Sequence, residues 1–155
     1  MNRIVSKVGF ASLVSLALVS EAAQAHTNTH GAAFHAYNGS EHPDIDYISE
    51  GVRNLGAGSR NVVGAVGFHP AQDWAGGLAQ FYVDGKNAAG KSTTFTLTGH
   101  NWDGTVQSTV SFNTAAASYD IAQSLNNLTV YSYVSLLVFL PSSSSTVFRG
   151  VTVVQ

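Results

Sequence analysis

Four histidines in the first third of the chain are the residues best suited to metal chemistry. They are His26, His30, His35 and His42, and the carboxylates Glu41, Asp44, Asp46 and Glu50 lie among and after them. If His26 became the first residue of a processed chain, its imidazole would stand beside a free amine, and these nitrogen ligands suit copper. The spacing matches no metal-ligand motif, because neither H-x-H nor H-E-x-x-H occurs. Copper binding through His26, together with the other three histidines, is therefore one hypothesis, and polar residues of an exposed arm are the alternative.

Residues Gly85 to Ser92 match the phosphate-loop pattern G-x-x-x-x-G-K-[ST]. Phosphate binding by such a loop requires a helix that begins directly beneath the phosphates. The residues that follow instead alternate threonine with Phe95 and Leu97, and this alternation is typical of a strand. We therefore predict a Gly- and Asn-rich hairpin loop at this point and no nucleotide site.

Two tryptophans fall among turn-forming residues, where they could take part in sugar recognition. Trp74 follows Asp73, and Trp102 stands between Asn101 and Asp103. An exposed indole can stack on a sugar ring while neighbouring amides and carboxylates bind its hydroxyls. The predicted ligand-binding residues are accordingly Trp74, Trp102, Asn101 and Asp103. The alternative is that each indole caps an open end of the fold.

No motif in the sequence selects catalytic residues. Sets of serine, histidine and aspartate can be drawn around His69 or His100, but no G-x-S-x-G motif identifies a nucleophile. Aspartate and glutamate are few and lie mostly in turns, so no carboxylate pair for glycoside hydrolysis stands out. The chain has no cysteine, which excludes disulfides, thiolate metal sites and a cysteine nucleophile. We therefore predict no catalytic residue and a protein that is not an enzyme.

Residues 1–25 have the pattern of a secretory signal peptide. Arg3 and Lys7 precede an apolar run, Val8 to Val19, and Ala23-Gln24-Ala25 is a small-x-small cleavage site. The apolar run is too short to span a bilayer comfortably. Beyond residue 25, five basic residues stand against eight acidic ones, a formal net charge of −3 with no clustered basic face. We predict a secreted or periplasmic protein with no nucleic-acid partner and no integral membrane segment after processing.

The remainder of the chain consists of short apolar or alternating runs separated by Gly, Asn, Asp and Ser. The predicted strands are Ile45–Ile48, Asn61–Phe68, Leu78–Asp84, Thr93–Thr98, Val106–Phe112, Tyr119–Leu125, Val130–Leu140 and Val147–Val154. About eight short strands with regular turn signals indicate an all-β fold, an antiparallel two-sheet sandwich or jelly roll. We expect this domain to span residues 45–155. Residues 26–44 show no strand pattern and are expected to form an N-terminal arm or loop.

Three details of this pattern predict a central strand, two turns and a loop. The run Val130–Leu140 is apolar on both faces, as in a central strand that is covered on both sides. Asp84-Gly85 and Asp103-Gly104 suit turns with positive φ. Pro141 should end the central strand, and Ser142 to Ser145 should then form a flexible loop.

Two segments resemble a group of small secreted bacterial proteins of unknown function. They are Tyr47–Asn54, which fits the pattern Y-x-x-x-G-[IVL]-x-N, and Asn61–Val66. Later segments that fit in order are Phe81–Asp84, Thr94–Leu97, Asp103–Thr105 and Leu136–Pro141. The resemblance covers about Tyr47 to Val154. It implies a two-sheet sandwich and brings no known activity or ligand.

The resemblance also implies that cysteines have been replaced in this chain. In the group, the opening motif is followed by V-x-C-P and a late strand reads C-x-L-P. Here Gly64 and Ala65 stand at the Cys-Pro position, Phe95 at a second cysteine and Val138 at a third. Buried hydrophobic volume would then take the place of a disulfide, with a loss of about 2–4 kcal/mol of cross-link stabilisation.

These patterns together predict an exported, non-catalytic β-sandwich that binds a glycan or another component at or outside the cell envelope. One alternative is a carbohydrate-binding module that uses the loop tryptophans. The other is a copper-binding protein that uses the processed N-terminal histidine.

Overall fold

The computed structural model describes residues 26–70 and 75–154. The predicted signal peptide, residues 1–25, lies outside the described residues, and so does Trp74. Eleven strands and two short 3-10 helices make up the regular structure of the described part. The strands of this part pair with their neighbours in antiparallel fashion. The prediction of an antiparallel all-β fold is therefore confirmed.

All eight strands predicted from the sequence are present, most of them with extended ends. The strands are β1 His26–His30, β2 His35–Ala36, β3 Ile45–Ile48, β4 Gly51–Asn54, β5 Arg60–Val66, β6 Gly77–Lys86, β7 Thr93–His100, β8 Val106–Thr114, β9 Ser118–Leu128, β10 Tyr133–Leu140 and β11 Ser143–Val154. The 3-10 helices are Gly31–Ala33 and Gly39–Asp44. In the described part of the chain, neither helix has the length or the hydropathy needed to cross a bilayer.

The strands form two sheets whose order is that of a jelly roll. Sheet A has the order β3-β4-β11-β6-β9, with β1 also paired to β11, and sheet B has the order β2-β5-β10-β7-β8. The last eight strands are distributed as β4-β11-β6-β9 and β5-β10-β7-β8, so that the chain winds back and forth between the sheets in two Greek keys. The predicted two-sheet, jelly-roll-like sandwich is therefore confirmed.

Buried aromatic side chains fill the space between the two sheets. The ring of Phe148 lies 4.8 Å from that of Phe34 and 6.1 Å from that of Phe95. Phe95 in turn stacks on Phe112 at 5.0 Å and meets Tyr119 edge-on at 5.7 Å. Phe95 is fully buried and thus connects residues of both sheets at the centre of the core.

The segment 26–44, expected to form an N-terminal arm or loop without a strand pattern, contains regular structure. It contains strands β1 and β2 and both 3-10 helices, and it joins sheet A to sheet B. In β1 the half-buried residues are Thr27 and Thr29 and an exposed one is Asn28, so polar residues occupy both faces. Backbone pairing with β11 rather than a hydrophobic period forms this strand, which is why the pattern could not reveal it.

Strand β10 is central in sheet B, but only one of its faces is covered. Val134, Leu136 and Val138 are fully buried, whereas Tyr133 and Phe139 are 47% and 44% exposed on the opposite face. The expectation that both faces are covered is therefore wrong. The apolar residues on the outer face are tolerated because isolated exposed apolar side chains are common on protein surfaces.

One of the two predicted Asp-Gly turns is present and the other is not. Gly104 has φ +86° and lies in the turn between β7 and β8, as expected. Gly85 lies inside β6, where a Cβ would overlap the Tyr119 hydroxyl. Close packing rather than a turn therefore requires glycine at position 85. Residues Ser143 to Ser145, expected in a flexible loop, begin β11.

Candidate functional site

The phosphate-loop match forms a loop that crosses from sheet A to sheet B. Gly85 and Lys86 end β6, and β7 begins at Thr93, so no helix follows the motif. The loop is not the predicted hairpin, because β6 and β7 belong to different sheets. Its centre is the buried Asn87, whose amide donates to the carbonyls of Thr114 and Ala116 at 3.0 and 3.1 Å. The motif serves to hold two loops together.

The four candidate metal-binding histidines lie on three elements, because His26 and His30 begin and end β1 whereas His35 and His42 belong to other elements. His30 uses both ring nitrogens, since Nδ1 accepts from Ala32 N at 3.1 Å and Nε2 lies 3.2 Å from the Ser49 carbonyl. His35 belongs to β2 in sheet B, and His42 belongs to a 3-10 helix beside Tyr47. Within residues 26–70 and 75–154, no three His, Asp or Glu side chains are grouped so that they could hold a metal ion.

His26 starts β1 opposite Val154, and its side chain is outside what the structure describes. Copper binding by a processed N-terminus at His26 therefore stays a prediction.

The turn that carries Trp102 is held by its own hydrogen bonds. Asn101 N donates to the Thr105 carbonyl at 2.8 Å, and Gly104 N donates to the Asn101 carbonyl at 2.9 Å. Asp103 Oδ1 accepts from both the backbone N and the Oγ1 of Thr105, at 3.0 and 2.7 Å. Four bonds within five residues fix the backbone from which the indole projects.

These bonds also set the charge state of the turn. The backbone amide of Thr105, and secondly its hydroxyl, lower the pKa of Asp103 below its usual range. Both donors favour the ionised carboxylate. Asp103 is ionised next to the indole at neutral pH, and these bonds extend its ionised range to more acid pH.

Trp102 is 75% exposed. A residue that capped the open end of the sandwich would be largely buried, so the capping role is wrong for this tryptophan. The exposed indole is not a consequence of a loosely held loop, because the turn beneath it is fully bonded. Asn101 is half-buried and Asp103 is exposed beside it.

A second turn at the same end of sheet B presents two tyrosines. Tyr131 is 72% exposed and Tyr133 is 47% exposed. The turn is closed by Ser132 N, which donates to the Thr129 carbonyl, and by Thr129 N, which donates to Ser132 Oγ. Ser132 Oγ donates in turn to Gln107 of β8. The second turn is therefore tied to the strand that follows the first turn.

Tyr133 and His100 join the two turns directly. Their rings stack with centroids 4.8 Å apart and an interplanar angle of 10°. His100 is fixed from below by Ser135 Oγ at 3.2 Å, and the Tyr133 hydroxyl lies 3.8 Å from the position that a Cβ at Gly104 would take. We call Trp102, Tyr131 and Tyr133, with the neighbouring Asn101 and Asp103, the aromatic end surface.

The sequence pointed to only part of this surface. Trp102, Asn101 and Asp103 were predicted, whereas Tyr131 and Tyr133 were not. Both tyrosines begin or precede an apolar strand, so their pattern is that of core residues. The pairing of β10 with β7 places Tyr133 opposite His100, two residues before Trp102, and a single sequence contains no signal for that pairing.

The described residues next to Trp74 lie near the second turn. Gly77 pairs with Leu128, and a Cβ at Gly76 would lie 2.7 Å from the Leu128 carbonyl. Trp74 itself is outside the described residues, so its predicted part in ligand binding stays a prediction.

Solved structures share the architecture of this chain. The CBM36-1 domain of a multidomain xylanase from the hindgut metagenome of Trinervitermes trinervoides matches with a TM-score of 0.50 and 11% identity, over 84% of this chain and 97% of that chain. The Arthrobacter globiformis T6 isomalto-dextranase complexed with panose matches with a TM-score of 0.50 and 18% identity, over 83% of this chain. The match spans only 23% of the isomalto-dextranase chain. A carbohydrate-binding module CBM36 in complex with calcium and xylotriose matches with a TM-score of 0.42, 16% identity and 83% of this chain.

What these matches share with the chain is the β-sandwich. The sequence matches no protein-family model, and the comparison with curated proteins finds no match. At 11% and 18% identity the two structures with a TM-score of 0.50 support the fold and transfer no ligand.

Proposed function

We propose that this protein is an exported, non-catalytic glycan-binding module whose binding site is the aromatic end surface. The observation that carries the proposal is the exposure of Trp102, 75%, on a turn whose backbone is fixed by hydrogen bonds. A large aromatic side chain held in solvent by a rigid turn has no role in folding stability. Such a side chain is well suited to stack on the apolar face of a sugar ring.

The surroundings of Trp102 supply the polar half of a sugar site. Asp103 stays ionised, and only its Oδ1 is used within the turn, so Oδ2 can accept from a hydroxyl. The Asn101 side chain offers both a donor and an acceptor. Because the turn is already ordered, little conformational entropy is lost when a ligand binds.

Tyr133 and Tyr131 extend the stacking surface beyond one ring. Tyr133 is held parallel to His100, and Tyr131 is exposed on the adjoining turn. Three aromatic side chains on two linked turns suit an oligosaccharide better than a single sugar.

The fold and the sequence support the same class of function. The CBM36-1 domain, named as part of a multidomain xylanase, shares the sandwich, and only 10% of the residues of this chain are charged. A neutral polar surface is compatible with a neutral glycan ligand. The signal-peptide pattern of residues 1–25 supports an extracellular or periplasmic location, where such ligands occur.

A glycan array tests the proposal. Protein lacking residues 1–25 is compared with the variants Trp102→Ala and Tyr131→Ala, each checked for an unchanged circular dichroism spectrum. Tyr37→Ala is the matched control, since Tyr37 is 60% exposed but follows β2 beside Asn61, at the opposite end of sheet B. We expect Trp102→Ala to abolish the array signal, Tyr131→Ala to weaken it and Tyr37→Ala to leave it unchanged.

Two results would contradict the proposal. One is an array with no signal for the unmodified protein, and the other is a signal that Trp102→Ala leaves intact. Incubation of the bound glycan with the protein, followed by product analysis, tests the non-catalytic part. New reducing ends would show that the protein is an enzyme. Trp74→Ala, measured in the same array, shows whether the second tryptophan contributes.

A further inference from the structure

The outer face of sheet A carries a groove that none of the sequence motifs indicated. Two adjoining cavities of about 560 and 360 Å³ lie on this face, and Asp84 and Thr152 line both. The larger one extends over β6, β9 and β11, and the smaller one reaches β1 and Glu50. From β9 to β1 the groove crosses three interstrand spacings, about 14 Å.

The floor of the groove is formed by the outward residues of β6. Gln80, Tyr82 and Asp84 alternate with Phe81 and Val83, which are fully buried in the core. The strand period of two thus places the three polar side chains on the solvent side in one row.

Tyr82 provides a flat ring in the middle of this floor. Its hydroxyl donates to Gln80 Oε1 at 3.2 Å. Because Gln80 stands two residues earlier on the same strand face, this bond lays the ring along the strand. The residues opposite Tyr82 on the two neighbouring strands are the small Thr152 and Ala122. Tyr82 is half-buried and lines the larger cavity, so part of its side chain faces the groove.

Two carboxylates lie directly beside this ring. Asp84 pairs with Asp120 in the register of β6 and β9, so their Cβ atoms are about 5 Å apart. Arg149 Nη1 lies 3.4 Å from Asp84 Oδ1. Asp120 is exposed, and its carboxylate makes no hydrogen bond or ion pair with the described part of the chain. Its oxygens are thus available to accept from ligand hydroxyls.

The charges around the groove select against an anionic ligand. Its carboxylates are Glu50, Asp84 and Asp120. The two cations at its border are already paired, Lys86 with Glu50 at 2.7 Å and Arg149 with Asp84. Lys86 also lowers the pKa of Glu50, which keeps that carboxylate ionised. An acidic chain would meet net negative charge, whereas a neutral polyhydroxylated chain meets acceptors and an aromatic face.

We propose that the sheet A groove is a second binding site that takes the interior of a neutral linear oligosaccharide. One sugar ring lies on Tyr82, and Asp120, Asp84 and Gln80 accept hydrogen bonds from hydroxyls on either side. The ligand class rests on the proposed function, whereas the site is separate from the aromatic end surface. Two sites on one rigid module would allow one protein to hold two glycan chains or two parts of one chain.

Amide chemical shifts of ¹⁵N-labelled protein locate the ligand directly. The ligands are linear tetrasaccharides of glucose, xylose or mannose, and an oligogalacturonate of equal length is the acidic counterpart. We expect a neutral tetrasaccharide to shift amides of β6, β9 and β11 and the oligogalacturonate to bind these strands at least about ten-fold more weakly. Tyr82→Ala should weaken binding in the groove about ten-fold. Tyr82→Phe keeps the ring but loses the bond to Gln80, and it should weaken binding less than Tyr82→Ala does.

The results separate this inference from the proposed function. Amide shifts confined to residues 101–105 and 129–133 would overturn the groove as a binding site and would support the aromatic end surface. Groove shifts that persist in Trp102→Ala and vanish in Tyr82→Ala would establish the groove as an independent site. An absence of shifts with every oligosaccharide would overturn both proposals. Shifts of Asp84 and Asp120 with CaCl₂ alone, without any response to sugars, would show a cation site and overturn the groove as a glycan site.

Discussion

Phe95 of β7 and Val138 of β10 lie directly opposite each other in sheet B, and both are fully buried. These are two of the positions where the resembling group of secreted proteins carries cysteine. Directly opposed residues of antiparallel strands have Cα atoms about 4.5–5.5 Å apart, which is within the span of a disulfide. The resemblance itself stays a prediction. In this chain the ring of Phe95 contacts Phe112, Tyr119 and Phe148.

Replacement of Phe95 should therefore be costly. We expect Phe95→Ala to lower the free energy of unfolding by about 3–5 kcal/mol, because it removes a fully buried ring from the centre of the core. Phe139→Ala is the matched control in the same sheet, since Phe139 is 44% exposed, and it should cost less than about 1 kcal/mol. Urea denaturation measures both variants. Similar losses in the two variants would contradict the central role of Phe95.

Gly51, the glycine of the Y-x-x-x-G motif, is required by close packing. It has φ +146°, and a Cβ there would overlap the backbone carbonyl of Phe148 on the neighbouring strand. We expect Gly51→Ala to lose at least about 3 kcal/mol of stability or to remain unfolded. Gly39→Ala should lie within about 0.5 kcal/mol of the unmodified protein, because no atom lies within 4 Å of its Cβ position. Thermal unfolding of the two variants distinguishes a packing role from a general sensitivity to alanine.

The asparagine of the same motif is also structural. Asn54 is fully buried, and its side chain bonds to the carbonyls of Gly58 and Leu140 and to Gly56 N. The motif therefore marks the junction of β4 with the loop that follows it and with the end of β10. Sequence patterns of this kind are good predictors of fold and carry no information on the ligand.

Asn87 rather than Lys91 should be the sensitive residue of the phosphate-loop match. Asn87→Ala leaves two part-buried carbonyls and the buried Thr93 hydroxyl without their partner, which should cost about 1–3 kcal/mol. Lys91→Ala, at an exposed position, should have no measurable effect. Chemical denaturation of both variants, with and without ATP, checks the comparison. If ATP stabilised the unmodified protein but not Lys91→Ala, the motif would be a nucleotide site and our prediction would be wrong.

The strand pattern was enough to predict the sandwich, because most strands have one buried face and alternate accordingly. It failed where backbone pairing alone makes a strand, as in β1, and where a strand has only two residues, as in β2. It also failed in β4, which begins with glycine and ends with asparagine, two residues typical of turns. The candidate sites depend more heavily on tertiary structure. Trp102 stood out by its residue type, whereas Tyr133 becomes a site residue only through its pairing with His100. Tyr82 and Asp120 alternate with core residues, and their common groove follows only from the register of β6 with β9.

Protonation of the Asp103 carboxylate at acid pH should weaken the turn that carries Trp102 in the aromatic end surface. Its pKa lies below the usual range because Thr105 donates to the ionised form. The resulting stabilisation of the turn is fully present above the pKa of an unfolded aspartate, and it is lost as pH falls through the lowered pKa of the folded protein. Thr105→Val removes the hydroxyl donor but keeps the backbone donor, so we expect the pKa of Asp103 to rise part of the way to its usual range. An NMR titration of the side-chain carboxyl carbon measures this shift, and Thr109→Val, an exposed position on β8, should leave it unchanged. An unaltered pKa in Thr105→Val would mean that the hydroxyl does not stabilise the ionised carboxylate and that the backbone amide acts alone.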